Sequence, residues 1–396
     1  MRINQIQNLE NKCTGCVACV DVCPAGCINK ETCDDGFVYT KIDENKCIDC
    51  GKCYKVCPIE NNRKNSFEQS LYAVYSCSRE IRNGGSSGGM FEMLASYFLK
   101  QGYYVCGAAF DSDIKLAHRI IKSENELNPL LKSKYVQSDM SGVYQKILGL
   151  LKNGNKVFFC GTPCQVSALV NSVDDKYRPL LFTADIICHG VPSQKMFDMY
   201  LQSLEKKHNG KIVEFSFRVK NNKYKHAHGY SYKLLKDGKI SVVNGIYTDS
   251  TFYNAFKKYM IFREGCYNCA YTTLQRVSDI TLGDFWGIEK YDSKSNTDQG
   301  VSLVLINTPG AEAVFGEIKG DTVYKQYPVE IGVKTNHCLT KCTIKPEKRD
   351  KVFSHLKNEG YESTADKYFS SGKSLKCRMY WKIPAGIRNL IRKLKG

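Results

Sequence analysis

No stretch of this 396-residue chain approaches the roughly 18 consecutive apolar residues of a membrane span. A spanning helix is therefore not expected. The opening MRINQIQNLENK has no hydrophobic core of the kind a secretory signal carries. A secreted disulfide framework is not expected either, and the reading is a reducing, cytoplasmic setting. No G-x-G-x-x-G fingerprint is found, and the glycine-rich stretch at 83–89 lacks the Gly-Lys-Ser/Thr ending of a Walker loop, which speaks against a nicotinamide site or a nucleotide loop there. Neither a stacked-aromatic sheet motif nor a recognition helix stands out, so no nucleic-acid partner is expected. Acidic residues are in the minority, 40 against 57 Lys and Arg, for a formal charge of +17. A basic surface suits an acidic electron carrier, an anionic substrate or a lipid surface.

What the chain has in quantity is cysteine, 20 in all. Cys13, Cys16, Cys19 and Cys23-Pro24 are followed by Cys47, Cys50, Cys53 and Cys57-Pro58. Both halves read C-x2-C-x2-C-x3-C-P, the spacing by which thiolates hold two 4Fe-4S cubanes. Three ligands come from one tight loop and the fourth from beyond the other. Cys57 should therefore close the set of Cys13, Cys16 and Cys19, and Cys23 the set of Cys47, Cys50 and Cys53. Gly15 and Gly51 lie inside the loops, where a side chain is expected to crowd inorganic sulfide. Zinc pairs two CxxC knuckles instead, so it fits this stretch poorly. Cys27 and Cys33 fall outside both motifs and read as structural or incidental.

Beyond a polar linker at 61–70, strand, turn and helix signals alternate. Leu71-Tyr-Ala-Val-Tyr reads as a strand. Asn83, Gly84, Gly85, Ser86, Ser87, Gly88 and Gly89 form a glycine-rich turn before a helix at about 88–100. Such a turn can present backbone N–H groups to an anion, or simply start a helix. Two apolar strands end in a cysteine within a loop. One runs into Gly161, Thr162, Pro163, Cys164 and Gln165, the other into Cys188-His189-Gly190. Loops at the carboxyl ends of strands are where ligands bind in α/β layers. Residues 212–245 alternate as antiparallel strands and carry Arg218 and Lys220. Cys266-Tyr-Asn-Cys269 adds one CxxC. Cys164, Cys188, Cys266 and Cys269 together can hold one more cubane, a zinc ion, or act as thiols with a redox pair at Cys266 and Cys269. The tail at 379–396 is basic, with Ile387, Leu390, Ile391 and Leu394 on one helical face. That face suits peripheral contact with anionic lipid, or packing on its own domain or a partner.

Several of these segments together resemble the coenzyme factor-420 (deazaflavin) hydrogenase/dehydrogenase beta-subunit family. They are Asn83–Met90, Cys160–Gln165, Asp185–Pro192, Phe217-Arg218 with Lys220, Cys266–Cys269 and Asp279–Gly287. The resemblance covers about residues 1–345 and looks most similar to members encoded with polysaccharide genes. It implies FAD or FMN near the segments Gly84–Gly89 and Gly161–Cys164, with the internal cluster on Cys164, Cys188, Cys266 and Cys269. His189 could then move a proton at the flavin or substrate. Arg218 and Lys220 could meet a flavin phosphate, or lie on a solvated strand face. Asp284 could orient a partner or bind nothing.

The expected fold class is α+β and multidomain. A bacterial-type two-cluster ferredoxin domain (1–62) precedes a mixed α/β flavin- and iron–sulfur-binding region (70–345, divided near 150), then an extension (346–396). The expected function is an iron–sulfur flavoprotein oxidoreductase working between a ferredoxin-like or deazaflavin partner and a small substrate. The alternatives are a non-catalytic electron-transfer subunit and a dithiol reductase using Cys266 and Cys269.

Overall fold

The computed structural model describes residues 1–6, 9–63, 65, 67–220, 229–292, 299–370, 379, 383 and 387. The basic tail, apart from Met379, Ile383 and Ile387, lies outside the described residues.

In the amino-terminal part the two cysteine loops flank an antiparallel hairpin, β1 (Ile28–Thr32) and β2 (Val38–Ile42), with Ile28 opposite Ile42. Chain order continues with β3 (Ser70–Ser76), β4 (Tyr104–Phe110), β5 (Leu116–Ile121), β6 (Val157–Gly161) and β7 (Leu181–Ile186). Then come β8 (Lys211–Val219), β9 (Gly229–Lys236), β10 (Lys239–Ile246), β11 (Ile280–Asp284), β12 (Ser302–Ile306) and β13 (Thr322–Tyr327). Eight of these make one sheet in the order β13-β3-β12-β11-β7-β6-β4-β5. Its middle, β11, β7, β6 and β4, is parallel, and its outer pairings are antiparallel.

The parallel strands are apolar on both faces because both are covered. In β6, Val157 and Phe159 pack with helices Val143–Lys152 and Pro163–Ser172. Phe158 packs opposite, with Met90–Lys100 and Pro309–Ile318. Successive side chains of a strand point to opposite faces, so three adjacent apolar residues serve two cores. The first face also receives the cysteine-rich part, through Cys16, Val17, Ala18 and Val56. Buried Asp21 fastens it there. Its carboxylate accepts from the N–H groups of Gly142 (2.9 Å) and Tyr144 (3.2 Å), at the start of the helix Val143–Lys152. A carboxylate at a helix amino terminus meets unpaired N–H groups and the positive end of the dipole.

The second sheet, β10-β9-β8, is antiparallel, and its apolar face packs with the helices Gln194–His208 and Arg349–Thr364. Strands β5 and β13 and the helix Arg349–Thr364 are not signalled by local pattern. The two strands are sheet edges, and β13 exposes most of its residues. The helix after the glycine-rich turn starts at Met90, two residues later than its pattern suggests, because Gly89 sits at φ 87°. Among the described residues no helix is long and apolar enough to cross a membrane.

Candidate redox centres

Two cavities in the amino-terminal part are lined by the cysteines that the spacing pairs. Cys13, Cys16, Cys19 and Cys57 line one, with Ile3, Leu9, Val17 and Ile59 around them. Cys23, Cys47, Cys50 and Cys53 line the other, beside Ile28, Ile42 and Ile48. The crossing over is thus present in the backbone itself. Apolar walls around four sulfurs suit a cluster, whose potential depends on burial and on hydrogen bonds to sulfur. Cys27 is buried in the second cavity, with its Sγ 3.4 Å from that of Cys23.

Protein neighbours and backbone conformation also constrain these glycines. A Cβ on Gly15 would lie 2.3 Å from the Arg263 guanidinium, so the crowding comes from a side chain 248 positions away. At Gly51 a Cβ would make only ordinary contact with the Met1 backbone (3.6 Å), and its φ of 70° is what favours glycine.

The other four cysteines converge from three places. Strand β6 ends at Gly161, Thr162 takes the helix-capping position, and Pro163 and Cys164 occupy the first turn. The Thr162 N–H donates to Gln165 Oε1 at 2.9 Å, closing the turn. The parallel neighbour β7 ends two residues before Cys188. Cys266 and Cys269 come from the segment Glu264–Asn268 and the residue after it. Burial pushes the thiols of Cys164, Cys266 and Cys269 up to about 11 each, and Cys188 up as well. Their mutual repulsion adds to this: Cys188 feels Cys266, Cys164 and Cys269. Four half-buried thiols that resist ionisation together form a poor set of free nucleophiles and a good set of metal ligands, since a bound metal takes them as thiolates.

This internal set lies beside the first amino-terminal one. Cys16 and Cys164 act on each other's neighbourhood, and the phenols of Tyr144 and Tyr271 are raised by both. Tyr271 donates to Pro58 O at 2.5 Å, next to Cys57. Arg263, only 1% exposed, clamps the same junction. It donates to Gln137 Oε1 (3.0 Å), Val38 O (2.8 Å) and Cys13 O (3.4 Å). A Cβ on Gly265 would meet Lys12 O at 2.7 Å, so the two backbones touch there.

The motif aspartates build the frame. Asp279 accepts from the Thr183 N–H (2.8 Å) and hydroxyl (2.7 Å) and pairs with Arg178 at 3.1 Å, joining β11 to β7. Asp185 pairs with Arg276 at 2.9 Å, with side chains 0% and 2% exposed. Replacing Asp185 by Asn leaves a buried guanidinium without its counter-charge. The expected loss is about 3–5 kcal/mol, read from chemical denaturation of the variant.

At the carboxyl edge of the large sheet, the residues nominated for a flavin meet protein partners. Arg218 is 9% exposed, not on a solvated face, and makes a two-pronged pair with Asp284 at 2.7 and 3.0 Å. That assigns Asp284 a role the sequence left open. Lys220 donates to Ser87 O (2.6 Å) and Arg82 O, at either end of the glycine-rich turn. Ser86 accepts from the Ser133 N–H (2.8 Å), and Ser87 donates to Val301 O (2.6 Å). Gly88 has no room for a Cβ, which would lie 2.2 Å from Val74 O. Gln165 donates to Ser138 Oγ (3.0 Å), which bonds His118 Nδ1 (2.8 Å). His189 lies with its Nδ1 3.3 Å from Cys338 Sγ.

Sequence reading missed Lys134, in a segment with no clear pattern. It is held by Pro129 O (3.0 Å) and Leu131 O (2.7 Å), and burial lowers it to about 7. Lys220 is also lowered to about 7, by burial and by Arg218 and Arg82. Against these cations stand Asp284 and Glu92, whose carboxyl is raised by burial. The hydroxyls of Ser86 and Ser87 are engaged by the protein.

Family comparison agrees with this layout. Residues 12–61 match a 4Fe-4S dicluster domain. Residues 154–330 match the carboxyl-terminal domain of the coenzyme F420 hydrogenase/dehydrogenase beta subunit. The chain joins a dicluster domain to this beta-subunit domain. No curated protein matches. Among solved structures, a chain of the xenon-derivatised F420-reducing [NiFe] hydrogenase complex from Methanosarcina barkeri aligns at 17% identity. It covers 77% of this chain and 91% of its own length, with a TM-score of 0.42. The segment similar to the beta subunit contains Cys164, Cys188, Cys266 and Cys269, and the segment similar to the dicluster domain contains the eight amino-terminal motif cysteines. Residues 12–61 are thus similar to an iron–sulfur domain and residues 154–330 to a domain of a hydrogenase/dehydrogenase subunit.

Proposed function

We propose that the chain is a flavin-dependent iron–sulfur oxidoreductase with three 4Fe-4S clusters and one FAD or FMN. It would exchange electrons between a ferredoxin-like or deazaflavin partner and a small substrate. The ligand sets would be Cys13, Cys16, Cys19 and Cys57; Cys23, Cys47, Cys50 and Cys53; and Cys164, Cys188, Cys266 and Cys269. Clusters take up electrons singly and a flavin singly or in pairs, so together they convert between the two modes. The observation that carries the reading is the adjacency of Cys16 and Cys164 across Tyr144 and Tyr271. It supports a continuous route from the dicluster domain into the beta-subunit domain.

In this reading Lys220, Lys134 and Arg218 attract the flavin phosphate, and Asp284 fixes the orientation of Arg218. The Gly84–Gly89 turn lets backbone approach the cofactor closely. His189 is the candidate proton carrier. The engagement of these side chains by protein partners favours a second reading, a subunit that passes electrons and transforms nothing itself.

One preparation tests both. Anaerobic purification with iron, sulfide and flavin measured together should give about twelve iron atoms and one flavin per chain. A chain without flavin after reconstitution overturns the flavoenzyme reading. A flavin-loaded chain that reduces no organic acceptor supports the second. Flavin affinity should also depend on pH. Lys134 and Lys220, both near 7 before binding, are charged below that value and neutral above it. Affinity should be full on the acid side and fall as pH rises past 7, by up to about tenfold per unit for each lysine. Titrations from pH 6 to 9 check this, and Lys220→Met should flatten the slope.

A further inference from the structure

Outside the three cysteine sets, one more group of soft donors comes together. Cys338 is 2% exposed. Its Sγ lies 3.3 Å from His189 Nδ1 and 3.3 Å from His337 Nε2. The three donor atoms all fall within 4.8 Å of one another, while the two imidazoles meet edge-on, with centroids 5.4 Å apart and planes at 67°. Rings so disposed do not stack. Both instead aim a nitrogen at one sulfur. The segment around Cys338 is held in place independently, since Thr343 Oγ1 donates to His189 O at 2.7 Å. None of these donors is shared with a cysteine cavity, and His337 and Cys338 lie beyond the matched beta-subunit domain, which ends at 330.

We propose that His189, His337 and Cys338 bind a zinc ion. Two imidazoles and one thiolate are a borderline-soft donor set that suits zinc better than the hard ions calcium or magnesium. Three protein ligands leave a fourth position. It falls to water or to Cys342, four residues further along the chain. Binding releases the Cys338 thiol proton to solvent and forms three bonds to the metal, with no change of oxidation state. The ion would tie the segment 336–343 to the loop carrying Cys188, on the flank of the internal set. The proposal is independent of the cluster assignments, because His189 is a ligand in none of the clusters, and it competes with the proton-carrying role given to His189 above, since Nδ1 would be on the metal.

The test uses the full chain, purified anaerobically, exposed to equimolar Zn²⁺ and freed of loose metal. Zinc and iron are then counted in the same sample. About one zinc per chain is expected, with one or two Zn–S distances near 2.3 Å and two Zn–N distances near 2.0–2.1 Å by X-ray absorption. His337→Ala and Cys338→Ser should lose the zinc and keep all iron. His337 is exposed, so its replacement leaves the core unaltered. His337→Cys should retain zinc with one added sulfur. Wild-type chain that holds no zinc overturns the proposal. So does zinc retained equally by His337→Ala and Cys338→Ser, which would place the metal elsewhere.

Discussion

Replacing Cys266 and Cys269 together with serine should remove about four of about twelve iron atoms per chain, with the matching sulfide, and leave the rest in place. The pair supplies half of a half-buried four-thiol set. The two amino-terminal sets sit in separate cavities with their own walls, so their iron should stay. Electron paramagnetic resonance of the reduced variant should show the signals of two clusters and lose those of the third. Retention of all iron with lost turnover would instead identify a redox dithiol. Loss of zinc with iron unchanged would identify a zinc site in place of the internal cluster.

Replacing Arg263 with alanine should cause the largest loss of stability of any single change at the junction. Its buried guanidinium is bonded to three neutral oxygens and packs over Phe37 and Tyr39, each 4.8 Å from the ring centre. Truncation leaves the carbonyls of Cys13 and Val38 without this donor and opens a void beside Gly15. The expected loss is about 3–5 kcal/mol, measured as the shift of the first unfolding transition in urea. Transfer of electrons from the dicluster domain to the internal set should slow as well, because the Cys13 loop loses its anchor. The exposed Lys357–Asp34 pair, 2.6 Å long, offers a control in the same region. Lys357→Ala should change neither property measurably, since solvent screens such pairs. A small effect at Arg263 would show that the parts are held chiefly by Asp21 and the apolar contacts of Cys16, Val17, Ala18 and Val56.

The contrast between these sites explains what could be read from sequence. The amino-terminal ligands lie within 45 residues, and their spacing alone specifies chemistry. Cys164 and Cys188 were legible because each follows an apolar strand, and neighbouring parallel strands bring their carboxyl ends together. The link from Arg263 to Cys13 was not legible. It spans 250 positions, and nothing local distinguishes an arginine that caps carbonyls from one in solvent. The same holds for Arg218, whose partner Asp284 sits on another sheet. His337 and Cys338 did carry a signal, His-Cys-x3-Cys at 337–342. It lies outside the segments that resemble the family, and its partner His189 is 149 positions earlier. The edge strands β5 and β13 were missed because half-exposed strands mix polar and apolar residues.

Strand β3 lies between β12 and β13, both made more than 220 residues later. On a ribosome, residues 70–76 therefore emerge long before either neighbour exists, with both edges unsatisfied. The amino-terminal cysteines, complete by residue 57, have no such wait. Metal loading can begin there while the large sheet is still open, whereas the internal set proposed above is complete only once residue 269 is made. Growth that outruns iron supply should therefore accumulate chains with an apolar, unpaired β3 on display, the kind of edge that drives aggregation.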